Sequence, residues 1–247
     1  MSVISLNREE HENTRTVRGI VRLLSPGPNF GLHSSSSSER GQVEKYIFDQ
    51  FLTKHGASVR EFMPMLFTTA CCGNYTAAVG IRPATGHDLF LEQYLAETAE
   101  KAIGGLKGEC VEREHIVEIG SLVATHGGAS QLVYLIMAAV LQQAGFEWLI
   151  ITATPQVQKA INRLGFELYP LAYADPSVLD SGSLSDWGSY YECQPRIVAG
   201  NLSEAMTVLA SRKIYSRLIS HYQDRIDSLA IMIKQGKLSE TEHSFAA

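Results

Sequence analysis

The first half of the chain alternates between the hydrophobic spacing of helices and that of strands. Val43, Ile47 and Phe51 recur at helical spacing, and Gly56 follows them as a stop signal. Further along, two apolar runs are separated by Cys72-Gly73-Asn74, in which Gly and Asn favour the positive φ of a hairpin turn. The pattern predicts a strand at 16–24, a loop at 25–38, a helix at 39–55 capped by Ser36 and Glu39, strands at 63–71 and 75–82, and a helix at 88–103.

The second half contains the most regular pattern: an apolar segment, a glycine turn, an amphipathic run and a second apolar segment. A strand–helix–strand unit of this length takes a right-handed crossover, so its two strands are expected to be parallel. The predicted elements are a strand at 115–124, a turn at 125–129, a helix at 130–144 ended by Gly145, a strand at 147–153, a helix at 155–164, one or two strands within 167–200, and a helix at 202–235 opened by Asn201 with Glu204. This order favours a mixed α/β (α+β) fold.

Composition narrows the class of protein. The 247 residues are 45% hydrophobic and 19% charged, which is enough chain to bury a substantial core. The net charge of -5 and the lack of a run of Lys or Arg argue against a nucleic-acid partner. The charged N-terminal stretch differs from a secretory signal, and no run reaches the ~18 to 20 apolar residues that span a bilayer, so we expect a cytoplasmic protein. The cysteines lack CxxC spacing, and we expect no metal site.

The glycine turn at 125–129 has two interpretations. Backbone amides of Gly127, Gly128, Ala129 and Ser130 lie at an electropositive helix end, and glycines let a ligand approach the backbone. On this interpretation the turn is a cradle for a pyrophosphate. On the alternative, the glycines simply turn the chain. For His126, in the same turn, the interpretations are a phosphate contact, an acid or base, or a solvated side chain without a role.

Four segments carry a specific resemblance to a known family. They are IVEIGSLVA at 116–124, FEWLIITAT at 146–154, NRLGFELYPLAYADP at 162–176 and WGSYYECQPRIVAGNL at 187–202. Over residues 15–200 the chain resembles the thermostable hemolysin family, a bacterial family also called delta-hemolysin. That family in turn resembles the GNAT acyltransferases, especially the acyl-homoserine lactone synthases. The resemblance implies a GNAT-like mixed central sheet flanked by helices, in which two parallel strands part to receive the pantetheine arm of an acyl carrier.

The resemblance also implies a site for the acyl donor. Residues 124–129 look like the GNAT pyrophosphate loop, Gln/Arg-x-x-Gly-x-Gly/Ala, in which Gly127 and Ala129 match while Ala124 stands where Gln or Arg is expected. Arg163 opens a segment similar to the one that closes the site in GNAT enzymes. The implied donor-binding residues are Leu122, Ala124, His126, Gly127, Gly128, Ala129, Ser130 and Arg163, and the implied catalytic residues are Glu118 and Tyr191.

Glu118 is a charged residue in an otherwise apolar strand. Its apolar neighbours point to the opposite face, so its carboxylate is a candidate for burial and a raised pKa. Such a group suits the base that acyl transfer to an amine requires. The alternative is a structural ion pair with Arg82 or Arg113. Tyr190 and Tyr191 are candidates for a general acid, for the lining of an acyl pocket or for ordinary packing.

The resemblance implies an N-acyltransferase of GNAT type, with an acyl-CoA or acyl-carrier-protein donor, a small-molecule acceptor, and hemolysis as the family name suggests. It divides the chain into a GNAT-like domain at 1–200 and a helical extension at 201–247. The alternative is a non-catalytic, membrane-active cytolysin that keeps the fold. The extension carries a heptad stripe, interpreted as internal packing, a homodimer contact or a membrane-surface contact: Tyr215, Ile219, Tyr222, Ile226, Leu229 and Ile233.

Overall fold

A mixed sheet with helices on both faces organises the computed structural model, which describes residues 27–86, 88–125, 127–179 and 181–244. The predicted strand at 16–24 lies outside the described residues. The strands are β1 (Asn29–His33), β2 (Met65–Cys71), β3 (Asn74–Pro83), β4 (Ile116–Ala124), β5 (Trp148–Ala153), β6 (Tyr169–Tyr173) and β7 (Arg196–Asn201). The α-helices are α1 (Arg40–His55), α2 (Ala99–Lys107), α3 (Gly127–Gln143), α4 (Pro155–Arg163), α5 (Ser181–Asp186), α6 (Leu202–Ser211), α7 (Lys213–His221) and α8 (Gln223–Ser244).

The strand order is β1-β2-β3-β4-β5-β7-β6, and β4 with β5 is a parallel pair between antiparallel neighbours. One face of the sheet packs against α3 and the C-terminal helices, and the other packs against α1 and α2. This confirms the predicted mixed α/β fold and the parallel strands of the strand–helix–strand unit.

The two parallel strands part towards their carboxyl ends. Their pairing runs from Ile116 opposite Trp148 to Ile119 opposite Ile151 and then stops. Just beyond, Ser121 has a φ of 48°, and the register between β3 and β4 shifts by one residue. An extra residue of this kind is a β-bulge, which bends its strand. We infer that the bulge turns the end of β4 away from β5 and opens the sheet.

The C-terminal helices wrap over α3 rather than extending away from the sheet. The single helix predicted at 202–235 is wrong, because the chain leaves helical geometry at Arg212, with φ -103° and ψ 109°, and again at Tyr222. Most of the heptad stripe is buried in this chain's own core, including Ile226, Leu229 and Ile233. Ile219 and Tyr222 of the stripe are only partly buried, and the homodimer and membrane contacts remain predictions.

Four other local predictions need correction. The helix predicted at 88–103 is a 3-10 turn at Phe90–Tyr94 followed by α2, and the helix predicted at 130–144 begins three residues earlier, at Gly127. The predicted loop at 25–38 contains β1. Glu39 is the N-cap of α1, but its side chain makes no capping hydrogen bond, so the predicted capping box is absent.

Several turn and cap predictions are confirmed. The β2–β3 hairpin is confirmed with Gly73 at a φ of 78°, although its neighbour at positive φ is Cys72, at 53°, and not Asn74 as predicted. The Asn201 side chain accepts a hydrogen bond from the Glu204 amide at 3.0 Å and so caps α6. Among the described residues, none of the helices is long and apolar enough to cross a membrane.

Candidate functional site

A cavity of about 480 Å³ opens where β4 and β5 part. Its volume lies within the range of roughly 300–1,000 Å³ that small-molecule sites occupy. The walls come from the end of β4, the C-terminal part of α1, the loop at 59–63, the first turns of α3 and α4, and the segment at 186–191. Of the predicted site residues it brings together Glu118, Leu122, Ala124, Ser130 and Tyr191.

Glu118 lies on the wall of this cavity with 2% of its surface exposed. Its Oε1 accepts a hydrogen bond from the Leu91 amide at 3.1 Å, and its Oε2 accepts one from the Phe90 amide at 3.2 Å. Arg82, opposite Glu118 in the β3–β4 register, places Nη1 3.4 Å from Oε2. Burial raises the pKa of Glu118, while the Arg82 charge and the two amides act against that rise. The predicted pairing is thus with Arg82 and not with Arg113.

Arg113 instead holds the 3-10 turn that donates to Glu118. It contacts Glu92 through Nη1 at 2.6 Å and Nη2 at 2.8 Å, and it reaches Glu100 at 2.7 Å. Glu92 also accepts hydrogen bonds from the Leu89 and Ala99 amides, each at 2.8 Å. Burial alone would raise the pKa of Glu92, but Arg113 and these amides lower it to about 2. This pair was not predicted from the sequence.

Aromatic side chains form one wall of the cavity, which we call the aromatic wall: Phe51, Phe90, Trp187, Tyr190 and Tyr191. The ring centroids of Trp187 and Tyr190 are 5.2 Å apart, and those of Tyr190 and Tyr191 are 5.3 Å apart. The Tyr190 hydroxyl donates to the Thr152 carbonyl at 3.2 Å, which ties the wall to the end of β5. This hydrogen bond therefore fixes the position of the aromatic wall relative to the end of β5.

Tyr191 has its hydroxyl 2.5 Å from that of Tyr94. Burial raises the pKa of both phenols, so both are protonated at neutral pH. A protonated phenol on the cavity wall can donate a proton or a hydrogen bond. The role of Tyr191 as a general acid remains a prediction.

The start of α3 lies at the edge of the cavity, between Ala124 and Ser130 in the chain. Gly127, Gly128 and Ala129 form its first turn, and the first turn carries no acidic residue that would neutralise the positive helix end. His126 lies outside the described residues.

Arg163 is the last residue of α4, whereas Gln156 and Val157 near the other end of that helix line the cavity. The helical rise places Arg163 roughly 10 Å along α4 from Gln156. Arg163 therefore does not line the cavity, and its place at the donor site remains a prediction. No group of three or more His, Cys, Asp or Glu side chains in the described ranges could hold a metal ion.

The mixed sheet, with one parallel pair that parts over a cavity, defines a GNAT-like fold. Within that class the chain belongs to the thermostable hemolysin family, whose model matches residues 33–206. Both findings confirm the resemblance inferred from the sequence. No curated protein matches the chain.

Three similar solved structures illustrate the fold. TofI in its apo form has a TM-score of 0.50 and 10% identity, covering 70% of this chain and 91% of its own. BjaI, a CoA-dependent acyl-homoserine lactone synthase solved with SAM and isopentyl-CoA, has a TM-score of 0.49 and 12% identity, covering 86% of this chain and 100% of its own. FeeM, an N-acyl amino acid synthase from uncultured soil microbes, has a TM-score of 0.48 and 11% identity, covering 76% of this chain and 98% of its own. At these identities the likeness concerns the fold alone.

Proposed function

We propose that this chain transfers an acyl group from a thioester donor, acyl-CoA or acyl-acyl-carrier-protein, to an amine of a small acceptor. The observation that carries the proposal is the position of Glu118, a buried carboxylate with a raised pKa on the wall of the cavity between β4 and β5. A structural carboxylate needs no access to a cavity of this size. A general base needs that access and a pKa nearer to neutral.

The parted strands suit an extended donor. In the part of the chain that the structure describes, the edge of β4 that faces β5 has no partner strand beyond Ile119, so its backbone groups are available to hydrogen-bond a pantetheine arm. The same edge leads towards the amides of Gly127 and Gly128 at the start of α3, where a phosphate is favoured. Because Ala124 supplies no charge, phosphate binding in this proposal depends on these backbone amides.

The reaction is an ordinary aminolysis of a thioester. The acceptor nitrogen bonds to the acyl carbon, the C–S bond breaks, and the donor leaves as a thiol. Glu118 removes a proton from the attacking amine, directly or through a water molecule. Tyr191, kept protonated by burial, is the candidate donor of a proton to the leaving sulfur.

Hemolysis, the activity in the family's name, is in this proposal a consequence of the acylated product. The alternative of a non-catalytic, membrane-active cytolysin draws on Ala124 in place of Gln or Arg and on the apolar stripe in the C-terminal helices. That stripe is largely buried against α3 and the sheet. Acyl transfer is therefore the function that the geometry favours.

The direct test measures donor binding and turnover. Calorimetric titration should show that coenzyme A binds, and thiol release from acyl-CoA or acyl-acyl-carrier-protein should rise when a panel of primary amines is added. Separate reactions with the two donors distinguish the carriers. Absence of binding at millimolar coenzyme A, together with no amine-dependent thiol release from either donor, would contradict the proposal.

A further inference from the structure

We propose that the acyl acceptor is an α-amino acid with a large apolar side chain. In this assignment Arg82 binds the acceptor's carboxylate, Glu118 faces its amine, and the aromatic wall packs against its side chain. The inference rests on the proposed acyl transfer, because it names the acceptor of that reaction.

Arg82 has most of its hydrogen-bonding capacity unused. Its side chain is 26% exposed and lines the cavity. Among the described residues, its guanidinium makes one polar contact, the 3.4 Å approach of Nη1 to Glu118. Arg113, by comparison, uses Nε on the Ala84 carbonyl and both terminal nitrogens on carboxylates. A guanidinium offers five N–H groups in a rigid fork that matches a carboxylate. The fork of Arg82 is therefore available to a ligand in the cavity.

The spacing of the two charges selects an α-amino acid. Arg82 and Glu118 present opposite charges one hydrogen-bond length apart, at 3.4 Å. An α-amino acid carries its own opposite charges on a single carbon, so its amine can lie on Glu118 while its carboxylate lies on Arg82. A simple amine would add a second cation beside Arg82 and would bring no carboxylate of its own to bind the guanidinium, which is less favourable. Glu118 has about four acceptor positions, of which Phe90, Leu91 and Arg82 occupy three.

The surroundings of this charge pair favour a large apolar side chain and no net charge. Phe90, which donates its amide to Glu118, has its ring centroid 6.1 Å from that of Trp187, and Tyr191 is 6.0 Å from the same ring. Aromatic faces of this kind pack well against apolar or aromatic groups. Exposed charges that line the cavity are balanced in sign: Lys54, Arg60, Glu61 and Asp186. A zwitterion of zero net charge fits this balance.

The products follow from the proposed reaction. The amino nitrogen bonds to the acyl carbon, the thioester C–S bond breaks, and the products are an N-acyl amino acid and a free thiol. The acceptor enters as an ammonium ion and loses two protons. One proton ends on the thiol, and Glu118 passes the other to solvent. No oxidant, reductant or further reactant is needed.

Calorimetry with three ligands tests the inference on the full chain, with and without coenzyme A. The ligands are L-phenylalanine, L-phenylalaninamide, which lacks the carboxylate, and glycine, which lacks the side chain. We expect L-phenylalanine to bind about tenfold tighter than the amide, because a charged hydrogen-bonded pair is lost, and tighter than glycine. Arg82→Gln should abolish the preference over the amide, and Arg82→Lys should keep part of it. Arg217→Gln, an exposed residue outside the cavity, is the matched control and should keep the full preference.

Circular dichroism confirms that each variant is folded before titration. Equal affinity for the amino acid and its amide, an undiminished preference in a folded Arg82→Gln protein, or no binding of L-phenylalanine at millimolar concentration in either condition would overturn the inference. Thiol release with phenethylamine as fast as with L-phenylalanine would also overturn it and leave the acyl transfer intact. Carboxylate-dependent binding without thiol release would support the amino-acid site and contradict the acyl transfer.

Discussion

Two glutamate–arginine pairs hold the same 3-10 turn, one through Glu92 within it and one through Glu118, which accepts hydrogen bonds from two of its amides, and the pairs differ in how fully their hydrogen-bonding groups are used. Glu92 and Arg113 use their hydrogen-bonding groups on each other, on two amides and on further partners. The pKa of Glu92 falls to about 2. Glu118 and Arg82 share one contact of 3.4 Å on the wall of the cavity, and the pKa of Glu118 is raised. The first pair stabilises the fold. The second pair keeps the capacity to bind a ligand through Arg82 and to accept a proton at Glu118.

The largest expected effect on the free energy of unfolding follows from breaking the pair between Glu92 and Arg113. Arg113→Met leaves Glu92 and Glu100 without their shared cation, and we expect the free energy of unfolding to fall by about 4 kcal/mol. The matched change Arg82→Met should cost about 1 kcal/mol, because Glu118 keeps two amide donors and loses one long contact. Urea unfolding at neutral pH measures both. Equal losses would contradict the distinction between the two pairs.

The pH dependence of stability should differ in sign between the two glutamates. The folded pKa of Glu92 is lowered from 4.5 to about 2, so its contribution is present above 4.5 and is lost as the pH falls towards 2. Glu92→Gln should therefore lower the free energy of unfolding by about 3 kcal/mol at neutral pH, and the loss should shrink over that window. The folded pKa of Glu118 is raised, so its contribution is present at low pH and lost as the pH rises through that value.

Urea unfolding of both Gln variants at a series of pH values checks these signs. The difference between wild type and Glu92→Gln should narrow from pH 4.5 to 2. Glu118→Gln should cost less stability at neutral pH than Glu92→Gln does. A pH-independent loss for Glu92→Gln would contradict the assignment of its stabilising role to the ionised carboxylate.

A smaller effect is expected at the other end of the cavity, where the donor's phosphates are proposed to bind. Gly128→Val adds bulk at the start of α3 and should weaken coenzyme A binding by about tenfold, because the ligand loses access to the backbone amides. Gly105→Val is the control, since Gly105 is also helical and a Cβ there meets nothing within 4 Å. Calorimetry should find the control unchanged. Equal coenzyme A affinities in the two variants would show that the donor's phosphates do not bind at this turn.

Local patterns were enough to predict the elements that frame the cavity. The apolar segments around the glycine turn identify β4, α3 and β5, and a lone charge in an apolar strand identifies Glu118. Each of these signals lies within one element, where side-chain periodicity reports burial directly. The resemblance to GNAT enzymes also predicts that β4 and β5 part. The end of their pairing at Ile119 confirms this prediction.

Features that depend on distant residues could not be predicted in this way. Glu92 and Arg113 are 21 residues apart, and the hydrogen bonds of Glu92 convert a helix-like pattern into a 3-10 turn. The heptad stripe begins after the break at Arg212 and continues through the break at Tyr222, so its spacing does not reveal that three helices replace one. β1 is five residues long with a central glycine, and its strand geometry comes from pairing with β2.

Thiol release by Glu118→Gln tests the central claim, that Glu118 acts as the base, most directly. The substitution keeps the shape of the side chain and removes the base. With saturating acyl-CoA and acceptor, we expect the rate to fall by about 10²-fold or more while coenzyme A affinity is unchanged. The wild-type rate should rise with pH through the raised pKa of Glu118, and the variant should lack that rise. Glu97→Gln, an exposed carboxylate outside the cavity, should match wild type. An unchanged rate and pH profile in a folded Glu118→Gln protein would contradict the account and leave Glu118 a structural role.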